Sequence, residues 1–132
     1  MGNKSGLQLR FRSDPDGGRG AVVARARIPK RFAGAPTFLH GGIVATLLDE
    51  AMAKVNAQLG VTAVTHRLEV SYLRPVPPSR WIRIEGRNLS RRRLYYYNEA
   101  RVLSAEGRVL ARAKARFVAL PRSLVSQLAA GS

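Results

Sequence analysis

His40-Gly41-Gly42-Ile43-Val44-Ala45-Thr46-Leu47-Leu48-Asp49-Glu50-Ala51-Met52 opens the one stretch of this chain whose apolar residues recur at helical spacing. From Gly41 to Leu59, the residues Val44, Leu48, Ala51, Met52, Val55 and Leu59 fall on one stripe, with Ile43 and Leu47 beside it. That period predicts an amphipathic helix, and Gly60, just past the last apolar residue, supplies its stop.

On both sides of the helix the period changes to two. Residues 7–12 predict a short strand, closed by the turn Asp14-Pro15-Asp16-Gly17-Gly18. Residues 19–28 predict a second strand, with Val22, Ala24, Ala26 and Ile28 on one face and Val23, Arg25 and Arg27 on the other. Pro29, Gly34 and Pro36 break the next segment into a loop or a single helical turn.

Four strands are expected after the helix. In 62–74, Val64, Leu68, Val70 and Tyr72 alternate inward, with His66 among them, until Pro75, Pro77 and Pro78 stop the strand. In 81–89, Ile82 and Ile84 oppose Arg83, Glu85 and Arg87; 94–104 is tyrosine-rich. In 108–120, Val109, Ala111, Ala113, Ala115, Phe117 and Ala119 share a face opposite Arg108, Arg112, Lys114 and Arg116. A row of small side chains lets a helix lie close to a sheet. Two strands, one helix and four strands make an α+β fold, an antiparallel sheet of about six strands wrapped around one central helix. A single domain over 1–132 is expected, with its core in 7–120 and a tail, 121–132, that forms a last short helix or frays.

Composition narrows the chemistry. Among 132 residues there is no cysteine and only two histidines, so neither a thiolate nucleophile nor a multi-histidine metal site can be built. No cofactor is expected. No apolar run is long enough to cross a membrane, and residues 1–6 match neither a secretory signal nor a myristoylation pattern, so a cytoplasmic protein is expected. Twenty-three Lys and Arg against eight Asp and Glu give a net charge of +15. Such a field attracts phosphorylated metabolites, nucleic acid or an acidic carrier. Arginines alternating with apolar residues also describe a sheet with one wet face.

His40-Gly41-Gly42 stands where the loop meets the helix. A helix start exposes backbone N–H groups, and glycines let a ligand oxygen approach them, so a carbonyl can be held there as charge develops on its oxygen. Two glycines also simply make a tight turn into a helix. At 100° per residue, Asp49 points away from the apolar stripe, near Ala45, Thr46, Ala53 and Asn56, toward a cleft or a subunit contact. Glu50 stands four residues before Lys54, the spacing of a surface ion pair. A carboxylate facing a cleft is material for a general base or nucleophile.

The helix motif, with Phe32-Ala33-Gly34-Ala35-Pro36 before it and Tyr72-Leu73-Arg74-Pro75-Val76-Pro77 after it, closely resembles the PaaI-like branch of the hotdog acyl-CoA thioesterases, in the 4-hydroxybenzoyl-CoA thioesterase superfamily. The last strand reads the same way, so the resemblance covers roughly residues 30–120. It implies a six-stranded sheet around the helix and sites shared between paired protomers, in a homodimer or a dimer-of-dimers tetramer. It implies hydrolysis of an acyl-CoA thioester with Asp49 as the carboxylate, attacking the carbonyl or activating water, and the Gly41 N–H polarising that carbonyl. Thr65, ten residues before Pro75, would assist Asp49, and His40 would shape the pocket. Gly42 and Glu50 would line the substrate site, and Arg74 and Arg91, the latter in the run Arg91-Arg92-Arg93, would meet the nucleotide of coenzyme A unless they are solvated strand ends. Two positions depart from the pattern: Gly34 stands where Asn or Gln commonly supports the carbonyl, and His66 where a small or apolar residue is common. A lone inward histidine there reads as a satisfied core residue. The alternative function is a non-catalytic hotdog module that binds acyl-CoA or nucleic acid through its basic surface; the absence of a helix-turn-helix segment weighs against nucleic acid. A hotdog hydratase would need an Asp and His pair that the chain does not present.

Overall fold

Apolar residues at spacings of two and of three to four build the elements in the expected order. The computed structural model describes residues 9–34 and 37–131. Strands β1 (Arg12–Ser13) and β2 (Ala21–Arg27) precede helix α1 (Gly41–Gln58), and β3 (Ala63–Tyr72), β4 (Trp81–Arg92), β5 (Tyr95–Ser104), β6 (Val109–Ala119) and helix α2 (Arg122–Gly131) follow it. All six strands join one antiparallel sheet in the order β1-β2-β4-β5-β6-β3, so the first strand after the helix closes the far edge. The expected first strand is reduced to Arg12–Ser13, and its residues Leu7 and Gln8 lie outside the described residues, as do Ala35 and Pro36 of the loop. That loop contains a single 3-10 turn, Lys30–Phe32.

Helix α1 buries Val44, Leu47, Leu48, Ala51, Met52 and Val55 against the concave face of the sheet. Ala24, Ala26, Ile82, Ile84, Val102, Ala111, Ala113, Ala115 and Phe117 meet it from the strands. The alanine row of β6 was expected to take the helix, but α1 packs more against β4 and β5. The reason is Gly86 of β4: a Cβ there would stand 3.0 Å from the Ala51 carbonyl oxygen. Glycine, smaller than alanine, sets the closest seat. In β6 the alternation also slips. Leu110 is buried and Val109 only partly so, because the β5–β6 register shifts between Val102 and Leu103.

The core is not purely apolar. Asn98, fully buried on β5, donates to the Met52 carbonyl (3.2 Å) and to Asn56 Oδ1 (2.8 Å), and accepts from Asn88 (2.9 Å). Asn56 was grouped with the outward neighbours of Asp49; it is 3% exposed and belongs to this network instead. The amide chain ties α1 to β4 and β5 at one register. We expect Asn98→Leu to destabilise the fold by about 2–4 kcal/mol in urea titration, because it strands the buried amide oxygen of Asn56 and cuts the tie to the half-buried Asn88.

The outer face of the sheet carries the arginines. Glu85 pairs with Arg83 and Arg101, both at 2.6 Å, and Glu99 pairs with Arg87. The Glu50–Lys54 pair expected from spacing does not form among the described residues. An exposed pair at that spacing gains only about 0.3–0.5 kcal/mol, comparable with the freedom that two long side chains give up. No helix among the described residues is long and apolar enough to cross a membrane.

Candidate active site

The start of α1 is left open. His40 is its N-cap residue and makes no side-chain cap; its carbonyl accepts the N–H groups of Ile43 (3.0 Å) and Val44 (3.1 Å). The N–H groups of Gly41 and Gly42 have no partner among the described residues. At the positive end of an 18-residue helix dipole, two free donors make a place for an oxygen that gains negative charge. A Cβ at Gly42 would meet nothing within 4 Å in this chain. The Tyr72 hydroxyl donates to the Gly41 carbonyl (2.7 Å) and pins the helix start to the end of β3. Tyr72 was read only as an inward strand residue; its place as the last residue of β3 gives it this second contact.

The missing side chain at position 34 has a local explanation. A Cβ on Gly34 would lie 2.7 Å from His40 Cε1 and Nδ1, so the imidazole fills the space a side chain there would take. His40 thereby forms one wall beside the helix start.

Asp49 lies two turns along α1, half-buried, and its Oδ1 accepts the Thr65 hydroxyl at 3.1 Å. Simple alternation in β3 would turn Thr65 away from the helix. A bulge between Thr65 and Arg67 reverses it: Thr65 pairs with Phe117 and Leu68 with Ala115, two buried residues of the helix-facing surface. The same bulge overturns the reading of Val64 and His66 as inward. Val64 is 50% exposed, and His66 is exposed on the outer face, where its Nδ1 accepts from Arg116 Nε at 2.9 Å and its ring lies 5.9 Å from that of Tyr95. One extra residue in the strand moves His66 out of the core and Thr65 into the site.

Among the other residues singled out, Glu50 is half-buried next to Asp49, and Gly42 lies beside Gly41 at the open helix end. Arg91 stands over the Tyr96 ring at 5.2 Å. It shares a cross-strand row with Thr65 through Tyr96 and Phe117, three strand spacings or roughly 14 Å away. Arg74 is exposed just past the end of β3. The structure thus brings Thr65 to Asp49 and Gly42 to Gly41, and leaves both arginines outside that cluster. A hollow of about 460 Å³ around Asp14, Arg83, Glu85 and Arg87 lies on the opposite face of the sheet, among side chains that neutralise one another. Asp49 and Gly41 border an open surface instead, next to the exposed Leu68, Tyr72 and Leu73 of the edge strand and its end.

The sequence model of the Thioesterase superfamily matches residues 37–111, which contain α1, β3, β4 and β5. The chain belongs to the thioesterase superfamily. The match includes Gly41, Asp49 and Thr65. No curated protein matches this superfamily member. Among solved structures, it is 25% identical to a thioesterase superfamily protein (TM-score 0.77, covering 83% of this chain); it spans only 55% of that protein's length. A Streptococcus pneumoniae TIGR4 hypothetical thioesterase with coenzyme A is 21% identical, with a TM-score of 0.77 and 86% of each chain covered. That protein was also solved with alanine in place of an aspartate and, separately, of a threonine sixteen positions further on. The Escherichia coli PaaI protein, from the phenylacetic acid degradation operon, is 16% identical with a TM-score of 0.80, covering 89% of this chain and 83% of PaaI. The fold is therefore the PaaI-like hotdog.

Proposed function

We propose that the protein is an acyl-CoA thioesterase whose site is completed by a second copy of the chain. The observation that carries this reading is the hydrogen bond from Thr65 to Asp49, made possible by the β3 bulge, at the rim of an open helix-side surface. The hydroxyl holds Oδ1 and leaves Oδ2 to act on the thioester, either on the carbonyl carbon or on the attacking water. Direct attack expels coenzyme A as thiol and leaves an acyl–Asp49 anhydride that a water then hydrolyses, whereas an activated water expels the thiol in one displacement. Either way the carbon–sulfur bond breaks, one water is consumed and the acyl group leaves as free acid. The separation of Thr65 from Asp49 is sixteen residues, the same as between the two residues replaced in the pneumococcal thioesterase.

One chain alone does not bring the parts together. Gly41 and Asp49 are eight residues apart on one helix, about 12 Å along its axis. An attacking group and an oxyanion donor must both lie within about 3 Å of one carbonyl. Two copies paired across the exposed edge strand β3 set the Gly41 of one against the Asp49 of the other, and cover Leu68, Tyr72 and Leu73. In that arrangement the Gly41 N–H takes the carbonyl oxygen, Gly42 leaves room for the acyl group, His40 walls the pocket and Glu50 lines its far side.

The reading is tested by thiol release from a panel of acyl-CoAs, including phenylacetyl-CoA and medium-chain esters. Saturable turnover on at least one ester is expected; no release from any would reject it. Thr65→Val, which keeps the shape but removes the donor, should lower kcat about 10- to 100-fold with KM little changed. An unchanged kcat would remove Thr65 from the site.

A further inference from the structure

Where β4 begins, and where β3 and the β5–β6 turn end, the surface folds into a concavity of about 760 Å³. Arg27, Arg74, Arg80 and Arg108 line it around Trp81, with Glu106 as its only acid. None of these four arginines enters an ion pair among the described residues. The contrast with the middle of the outer face is sharp: there Glu85 and Glu99 neutralise Arg83, Arg101 and Arg87. Concave walls concentrate an uncompensated field of one sign and favour an anion of several charges.

The ring at its centre adds a second requirement. Trp81 is 44% exposed, and the guanidinium carbons of Arg25 and Arg27 stand 4.7 and 4.8 Å from its centroid. The part of the indole that these guanidinium groups leave exposed, ringed by cations, suits a flat, electron-rich ring joined to phosphates. Arg80 is brought to it by a fixed turn: Ser79 takes a left-handed φ of 62°, and its N–H bonds the Ile28 carbonyl at 2.8 Å. Guanidinium forks match phosphate oxygens in pairs.

We propose that this concavity binds a phosphorylated nucleotide, with its phosphates on Arg74, Arg80 and Arg108 and its base against Trp81. Two sources share that chemistry: the nucleotide end of the coenzyme A substrate and a free nucleotide. The first rests on the thioesterase reading above. Arg74 lies two residues beyond Tyr72, whose hydroxyl is bonded to Gly41, so the concavity opens at the same end of the sheet as the helix start.

Trp81 is the only tryptophan of the chain, so its fluorescence reports this site directly. Adenosine 3′,5′-bisphosphate, ATP, coenzyme A and inorganic phosphate are titrated against wild type and the double variant Arg80→Ala/Arg108→Ala, with circular dichroism confirming that the variant is folded. A saturable change is expected with at least one nucleotide, at least about tenfold tighter than with phosphate and weakened at least about tenfold by the double variant. The KM ratio of an acyl-CoA to the matching acyl-pantetheine separates the sources. A rise of about tenfold in that ratio in the double variant assigns the site to the substrate's own nucleotide; an unmoved ratio with lost nucleotide binding assigns it to a free one. The fluorescence result stands whether or not any thioester is hydrolysed. No saturable change with any nucleotide, or equal affinity in wild type and variant, would overturn the proposal. So would a single-stranded oligonucleotide that binds while mononucleotides do not.

Discussion

Asp49→Asn should lower kcat for acyl-CoA hydrolysis by about 10³-fold while the protein stays folded. The substitution keeps the size of the side chain and a carbonyl oxygen that can still accept from Thr65, so the contact at 3.1 Å survives. What it removes is the negative charge and the basic oxygen. Asp49 is half-buried at the outer flank of α1 and takes no part in the core, so its loss costs little packing. Glu50→Gln is the control on the neighbouring carboxylate, which has no such partner on β3; its effect should stay within about fivefold. A wild-type rate in Asp49→Asn, or a collapse in Glu50→Gln alone, would move the chemistry off Asp49.

The second large effect falls on the backbone. Gly41 is the first residue of α1, where proline is tolerated because that N–H has no intrahelical partner. His40, with ψ of 143°, already has the extended conformation that a following proline requires. The nearest atom to a Cβ at position 41 would be the Tyr72 hydroxyl at 3.4 Å, an ordinary contact. Gly41→Pro therefore deletes the donor without breaking the helix start, and sets the ring Cδ where the carbonyl oxygen would approach it. Loss of an oxyanion donor costs about 10²–10³-fold in kcat. A variant that melts like wild type and turns over at its rate would show that the Gly41 amide does not hold the carbonyl.

The helix was legible in the sequence because large apolar residues at helical spacing have few other readings. Three of the strands, β2, β4 and β6, were legible because arginine alternates with alanine or isoleucine. The failures share one cause: an inserted residue in a strand leaves no mark on composition. Reading β3 by strict alternation puts Val64 and His66 inside and Thr65 outside, which is wrong for all three. Only the family resemblance paired Thr65 with Asp49; the period of the strand argued against it. Asn98 escaped notice because an asparagine in a tyrosine-rich strand looks like a surface residue until its partners, Asn56 and Asn88, are known from distant segments. The seat of the helix on Gly86 was hidden for a related reason, since a glycine inside a strand reads as a weak point before the opposing Ala51 is in place.

Mixed dimers give the most direct test of a site shared between copies. Asp49→Asn and Gly41→Pro chains, each nearly inactive alone, are co-expressed with different tags and assayed together. A mixed pair holds one site with an intact amide from one chain and an intact carboxylate from the other. Random pairing should then restore about a quarter of wild-type turnover per chain. Activity no greater than the sum of the two separate variants would place both groups in the same chain, or outside the chemistry altogether, and contradict the assignment.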